Sequence, residues 1–102
     1  MKKKNKKKSI KKDEFRYNKA NKHPAYIFAR IGHDFKYLGI THSPITEGME
    51  NIELSVNPNK KDKHKAYIRK VPGQQRSNRF GPKEKEMQLA NKDKVKIRDF
   101  LK

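Results

Sequence analysis

No cysteine occurs in the 102 residues, which excludes disulfides, thiolate nucleophiles and cysteine-based zinc sites and leaves the redox compartment open. Long apolar runs are missing as well. No stretch is long enough to span a bilayer, and the basic start MKKKNKKKSIKK leads into DEFRY rather than the apolar core of a signal peptide. Residue 2 is lysine, so there is no myristoylation glycine, and no amphipathic apolar stretch accompanies the lysines. A cytoplasmic protein that does not engage a membrane is expected. Carboxylates are scarce too: 11 Asp and Glu stand against 28 Lys and Arg, a formal charge of +17. Those few acids are dispersed, and no pair of them suits two-metal nuclease chemistry.

Apolar side chains are thin on the ground and unevenly spread. Hydrophobic residues make up 31%, against about 45–50% in ordinary globular domains. Of the 20 Leu, Ile, Val and Phe residues, only Ile10 and Phe15 fall within residues 1–22. That segment reads as a basic, largely disordered tail with a short helix in it, and residues 23–102 as one small domain with enough apolar side chains for a small core. The tail carries ten Lys and one Arg against Asp13 and Glu14, hence +9 of the +17, and the body keeps the remaining +8. A body that is basic without its tail suggests a binding face for a polyanion, nucleic acid ahead of a membrane surface.

Periodicity gives an α+β chain. Ser9 can cap a short N-terminal helix to about Lys19, which Asn21-Lys22-His23-Pro24 breaks. Ala25 to Thr41 reads as a hairpin around Gly32-His33-Asp34. Tyr26, Phe28 and Arg30 alternate with Ile27, Ala29 and Ile31; Phe35, Tyr37 and Gly39 alternate with Leu38 and Ile40. One face is then aliphatic core, and the other, aromatic and basic, is either core or a stacking platform. Ile52 to Val56 is a strand, Asn57 to Lys65 a polar turn built on Asn-Pro-Asn, and Ala66 to Val71 a fourth strand. Pro72 to Lys83 has little to bury and reads as a flexible loop, and Met87 and Leu89 alternate in a fifth strand. Asn91 is positioned to cap a closing helix, Lys92 to Leu101, that buries Val95, Ile97, Phe100 and Leu101. The expected architecture is an antiparallel sheet of four to five short strands with a short N-terminal helix and a closing C-terminal helix; a small open β-barrel is the alternative.

The candidate chemistry is that of a nucleic-acid binder. Lys2, Lys3, Lys4, Lys6, Lys7 and Lys8 supply sequence-independent attraction to phosphate. Arg30, Lys36, Tyr37, Lys65 and Arg69 would act from the sheet, and Arg76, Arg79 and Phe80 from the 72–83 loop, arginine as a planar donor and Phe80 as a base-stacking ring. RNA is favoured over DNA because no segment reads as a recognition helix, while aromatic strand residues suit stacking. The four histidines, at 23, 33, 42 and 64, stand singly. No His-x-x-x-His spacing marks a metal centre, so no metal and no cofactor are expected. Metal-free RNA cleavage asks only for a base, an acid and cations around one phosphate. His42, beside Thr41 and Ser43, and His64, ahead of Tyr67 and Arg69, are the candidates. The sequences His23–Phe28 (HPAYIF) and His64–Arg69 (HKAYIR) echo one another. Matching positions at the start of a strand explain Ala, Tyr and Ile, and the second copy, with Tyr67 and Arg69, is the better placed for chemistry.

The segments GHDFKYLGITHS, NPNKKDKHKAYIR and LANKDKVKI, set behind a basic tail, resemble small lysine-rich proteins of bacterial phages and conjugative elements. Over about residues 10–102 the chain is also similar, at the level of fold, to compact ribonucleases of the barnase–RelE–colicin type. That resemblance implies a helix followed by a four-stranded antiparallel sheet with basic residues and histidine on its face, and it implies a metal-independent endoribonuclease of toxin type as the alternative function. A third reading is a basic module that docks an acidic partner protein.

Overall fold

The computed structural model describes residues 11–102; the lysine run of residues 1–8 and the expected cap at Ser9 lie outside them. The described chain is α+β. Its strands are β1 (Glu14–Asn18), β2 (His23–Ile31), β3 (Asp34–Thr41), β4 (Ile45–Thr46), β5 (Met49–Glu50), β6 (Ile52–Glu53), β7 (Tyr67–Ile68), β8 (Gly73–Arg76) and β9 (Phe80–Lys83), closed by helix α1 (Asn91–Leu101). Seven of the strands make one open antiparallel sheet in the order β6-β7-β3-β2-β1-β9, with β8 beside β3 on the same edge as β7, while β4 and β5 form a separate small hairpin. The sheet does not close into a barrel. No helix of the described residues is long and apolar enough to cross a membrane.

The central hairpin is β2–β3. Ile31 pairs with Asp34 across Gly32-His33, and the positive φ of Gly32 (58°) is the left-handed conformation that such a two-residue loop requires. Arg30 then faces with Phe35, as simple alternation predicts. At Phe28 a β-bulge shifts the register, so that Ile27 pairs with Tyr37 and Tyr26 with Leu38. One inserted residue exchanges the faces of everything beyond it. Of the two alternatives for the aromatic face, core is the one found: Tyr26 and Phe28 are buried with Leu38, Ile68 and Ile97 beneath α1, while Ala25 and Ile27 join Phe35 on the opposite face. Both faces of the hairpin are therefore core.

Phe80 completes the second face. The segment expected to be a flexible loop pairs with β3 through β8, makes a 3-10 turn at Ser77–Arg79, and pairs with β1 through β9. In spanning β2 it sets Phe80 on Phe35 and Tyr37, at ring-centroid distances of 5.6 and 5.3 Å. Backbone approach is close here: a Cβ on Gly73 would lie 2.5 Å from Tyr37 Cζ. One aromatic ring and two ladders order a segment whose composition reads as loop.

The N-terminal helix is likewise corrected. Glu14–Asn18 is a strand paired on both sides, and Phe15 is completely buried, so tertiary pairing overrides a weak helical periodicity. The ordered sheet thus takes in residues assigned to the tail. Met87 and Leu89 lie in irregular chain rather than a fifth strand, though Leu89 is buried. Ala90, not Asn91, occupies the N-cap, without a side-chain cap bond, and Val95 is exposed. Asp93 does the anchoring instead. Fully buried in the first turn of α1, its carboxylate accepts the Ser55 N–H (2.9 and 3.0 Å) and the Val56 N–H (3.3 Å) and so ties the helix to the chain after β6.

Asp93→Ala strands those two N–H groups and is expected to lower the unfolding free energy by about 1–3 kcal/mol. Exposed Val95→Ala, two residues on, should change it by no more than about 0.5 kcal/mol. Urea denaturation of both variants checks the contrast, and equal effects would remove the anchoring role.

Candidate histidine–carboxylate site and basic surface

His42 and His64 reach one place from two directions. His42 follows the last residue of β3, where the Ser43 N–H donates to Thr41 Oγ1 at 3.2 Å. Asn51 Nδ2 donates to the Ser43 carbonyl (2.9 Å) and to Thr46 Oγ1 (2.8 Å), and the Asn51 N–H to the Pro44 carbonyl (2.8 Å), which folds the β4–β5 excursion back beside His42. His64 closes the 57–65 loop, which is a chain of Asx turns. Asn57 Oδ1 accepts the Asn59 N–H (2.9 Å), Asn59 Oδ1 the Lys61 N–H (3.1 Å), and Asp62 Oδ1 the His64 N–H (3.0 Å). Asn57 Nδ2 donates to the His64 carbonyl at 2.8 Å, closing the base of the loop, and Pro58 is buried beneath it. Short polar side chains bonding two residues ahead are what make such a sequence a defined turn.

Asp62 is the centre of the cluster. Its Oδ2 lies 2.6 Å from His42 Nε2 and its Oδ1 2.9 Å from His64 Nδ1, and the two imidazole centroids are 5.2 Å apart. The His64 backbone N–H, then the two imidazoles, hold the Asp62 carboxyl well below the usual carboxylate range. An ionised carboxylate only accepts, so His42 Nε2 and His64 Nδ1 carry the protons toward it. This leaves His42 Nδ1 and His64 Nε2 turned away from Asp62. The cluster borders a cleft of about 390 Å³ lined by His23, Thr41, His42, Ser43, Asn57 and Asp62 among others. Lys60, Lys61 and Lys63 flank Asp62 in the same loop, exposed and without an acidic partner among the described residues.

The four catalytic candidates divide into two pairs. His42 and His64 converge; Tyr67 and Arg69 do not join them. Tyr67 pairs with Thr41 in the β3–β7 ladder and is buried on the face opposite Ala66 and Ile68. Arg69 lies over Gly39 and bonds Glu47 at 3.3 Å. Of the binding candidates, Arg30, Arg76 and Arg79 are exposed and Lys36 is partly so. Lys65 is paired with Glu53 at 3.1 Å, which raises its pKa. Phe80 is buried and cannot stack on a base, and Tyr37 is half-buried with its hydroxyl accepting from Gln75 Nε2 at 2.7 Å. Around Phe35 stand three cations, Lys12 Nζ at 5.7 Å, Arg16 Cζ at 5.0 Å and Arg30 Cζ at 5.7 Å from the ring centre. Sequence reasoning passed over Asp62, Lys12 and Arg16. The signal for Asp62 was its place two residues before His64 in an Asn/Asp-rich turn. His23, in the first copy of the echo, borders the cleft.

Because the folded pKa of Asp62 is depressed, its charge stabilises the fold above the unfolded carboxylate value, about pH 4, and that contribution fades as pH falls through the folded value. Asp62→Asn retains an oxygen for the turn and removes the charge. It is expected to lower the urea midpoint at about pH 7 and to converge on the wild type as pH falls below about 4. A gap that is constant with pH would contradict the assignment.

No protein-family model, curated protein or solved structure matches the chain, so its function has to be read from its own charge, packing and side-chain geometry.

Proposed function

We propose that the chain binds nucleic acid through its phosphates, with RNA the favoured form. The observation that carries this is how the charge is spent. Of the +17, the six lysines of residues 1–10 account for +6, leaving +11 on the described residues. Seven of the eleven carboxylates are paired within the chain: Asp13 with Lys94, Glu14 with Lys12 and Arg16, Glu47 with Arg69, Glu53 with Lys65, Asp62 with the histidines, Asp93 with Lys96 and Asp99 with Lys102. Arg30, Lys36, Arg76, Arg79 and the 60–63 lysines have no acidic partner among the described residues, and such cations are available to phosphate. With Phe80 and Tyr26 buried, base stacking is not part of the proposal. The preference for RNA rests on the cleft lined by His42, Thr41 and Ser43, whose hydroxyls and imidazole could bond a ribose 2′-hydroxyl.

Affinity for single-stranded RNA should fall steeply with salt, log K against log salt having a slope of about −0.7 per phosphate neutralised. Replacing Lys60, Lys61 and Lys63 together with alanine should flatten that slope by roughly 2. A flat response in the wild type would remove the proposal.

The convergence of His42 and His64 favours a second reading, a metal-independent endoribonuclease of toxin type. One imidazole would take the 2′-hydroxyl proton as O2′ attacks phosphorus, the P–O5′ bond would break, and the other imidazolium would return a proton to O5′, giving a 2′,3′-cyclic phosphate. The sharpest check is RNA cleavage in EDTA. Wild type should cleave, and His42→Ala and His64→Ala should each lose roughly 100-fold or more. Intact RNA with wild type, on free and ribosome-bound substrates alike, would dismiss it.

A further inference from the structure

The donor atoms of His42, Asp62 and His64 all lie within 4.8 Å of one another. Two borderline imidazole nitrogens and one carboxylate oxygen are a common donor set for first-row transition metals. With metal–ligand bonds of about 2.0–2.2 Å, donors around one tetrahedral ion stand roughly 3.4 Å apart, so side-chain rotation of the order of 1 Å would bring these three onto one ion. We infer that His42 Nε2, an Asp62 carboxylate oxygen and His64 Nδ1 form a binding site for a single transition-metal ion of the Zn²⁺, Co²⁺ or Ni²⁺ class.

Three features of the molecule support it. The two nitrogens that face Asp62 are the ones that would coordinate, so binding exchanges two N–H···O contacts for metal bonds and moves each ring proton to the other nitrogen of its imidazole. The loop bearing Asp62 and His64 is already fixed by the Asn57 and Asn59 turns, and so the ordering cost is met before the ion arrives. The site is also open: His42 and His64 are 62% and 78% exposed and Asp62 21%, with the cleft alongside for water or a further ligand.

The surroundings decide which ion. Lys60, Lys61 and Lys63 flank Asp62 in sequence, and Asp62 is the cluster's one carboxylate. Hard cations held by oxygen and charge, Mg²⁺ and Ca²⁺, are disfavoured in such a place. Ions that gain most from imidazole are not excluded by the same repulsion. The inference does not rest on nucleic-acid binding, since the lysine-borne salt dependence and metal occupancy are read by separate titrations. It does compete with the imidazole acid–base reading, because an ion on one nitrogen and the ring proton on the other leave neither imidazole a free lone pair to act as a base.

Isothermal titration of the full chain, stripped with EDTA and dialysed, with ZnCl₂ and NiCl₂ should show one saturable site. His42→Ala, Asp62→Asn and His64→Ala should each weaken it by at least roughly tenfold, while MgCl₂ and CaCl₂ produce no saturable heat. A second measurement needs no variant: paramagnetic Ni²⁺ or Co²⁺ added to ¹⁵N-labelled wild type should broaden amide signals around 42–43 and 61–65 first. Absence of saturable binding of Zn²⁺ and Ni²⁺, unchanged binding in the folded His42→Ala and His64→Ala proteins, or broadening centred on His33 would each overturn the inference.

Discussion

A shortage of apolar side chains is the constraint on which this structure depends, and the bulge at Phe28 is how the chain meets it. One extra residue in β2 sends Tyr26 and Phe28 to the face beneath α1 and leaves Ala25 and Ile27 on the other with Phe35. A single hairpin thereby contributes to two cores. Phe80 closes the smaller one, and α1, held by Asp93, closes the larger. Burying both faces of one hairpin lets 31% hydrophobic residues suffice where a one-sided sheet would need more.

Carboxylates are the second scarce resource, and they are placed where structure needs an acceptor. Asp93 receives the backbone after β6, Asp62 gathers the 57–65 loop and two imidazoles, Asp13 takes the Tyr26 hydroxyl at 2.9 Å, and Glu14 holds Arg16 and Lys12. Burial together with Asp13 pushes the Tyr26 hydroxyl far above its ordinary range, so it remains a donor. The basic character of the molecule follows from its composition, and the pairing of its few acids decides which cations stay without an acidic partner among the described residues: Arg30, Lys36, Arg76, Arg79 and the 60–63 lysines.

Much of the fold was legible where local rules act alone. The β2–β3 hairpin follows from alternation and Gly32, the 57–65 turn from Asn-Pro-Asn, and the closing helix from its apolar spacing. What depends on partners distant in sequence was not. Glu14–Asn18 is a strand because β2 and β9 flank it, and 73–83 is ordered because β3 and β1 do. The bulge, invisible to period-2 reasoning, reversed the faces of Tyr26 and Phe28. For the site, His42 and His64 were identifiable, but their meeting on Asp62 was not, since it joins the end of one strand to a loop twenty residues away. Tyr67 and Arg69 share the sequence neighbourhood of His64 yet face the other side of the sheet, a separation that proximity along the chain conceals.

The proposed function places a phosphate-bearing strand along the lysine loop and the cleft beside His42. Titrating the ¹⁵N-labelled protein with a short single-stranded RNA and following amide shifts tests this most directly. The account predicts the largest changes at Ser43 and across Asn59 to His64, with α1 little affected. Shifts confined to α1 or to the β4–β5 hairpin, or no shifts at low salt, would contradict it.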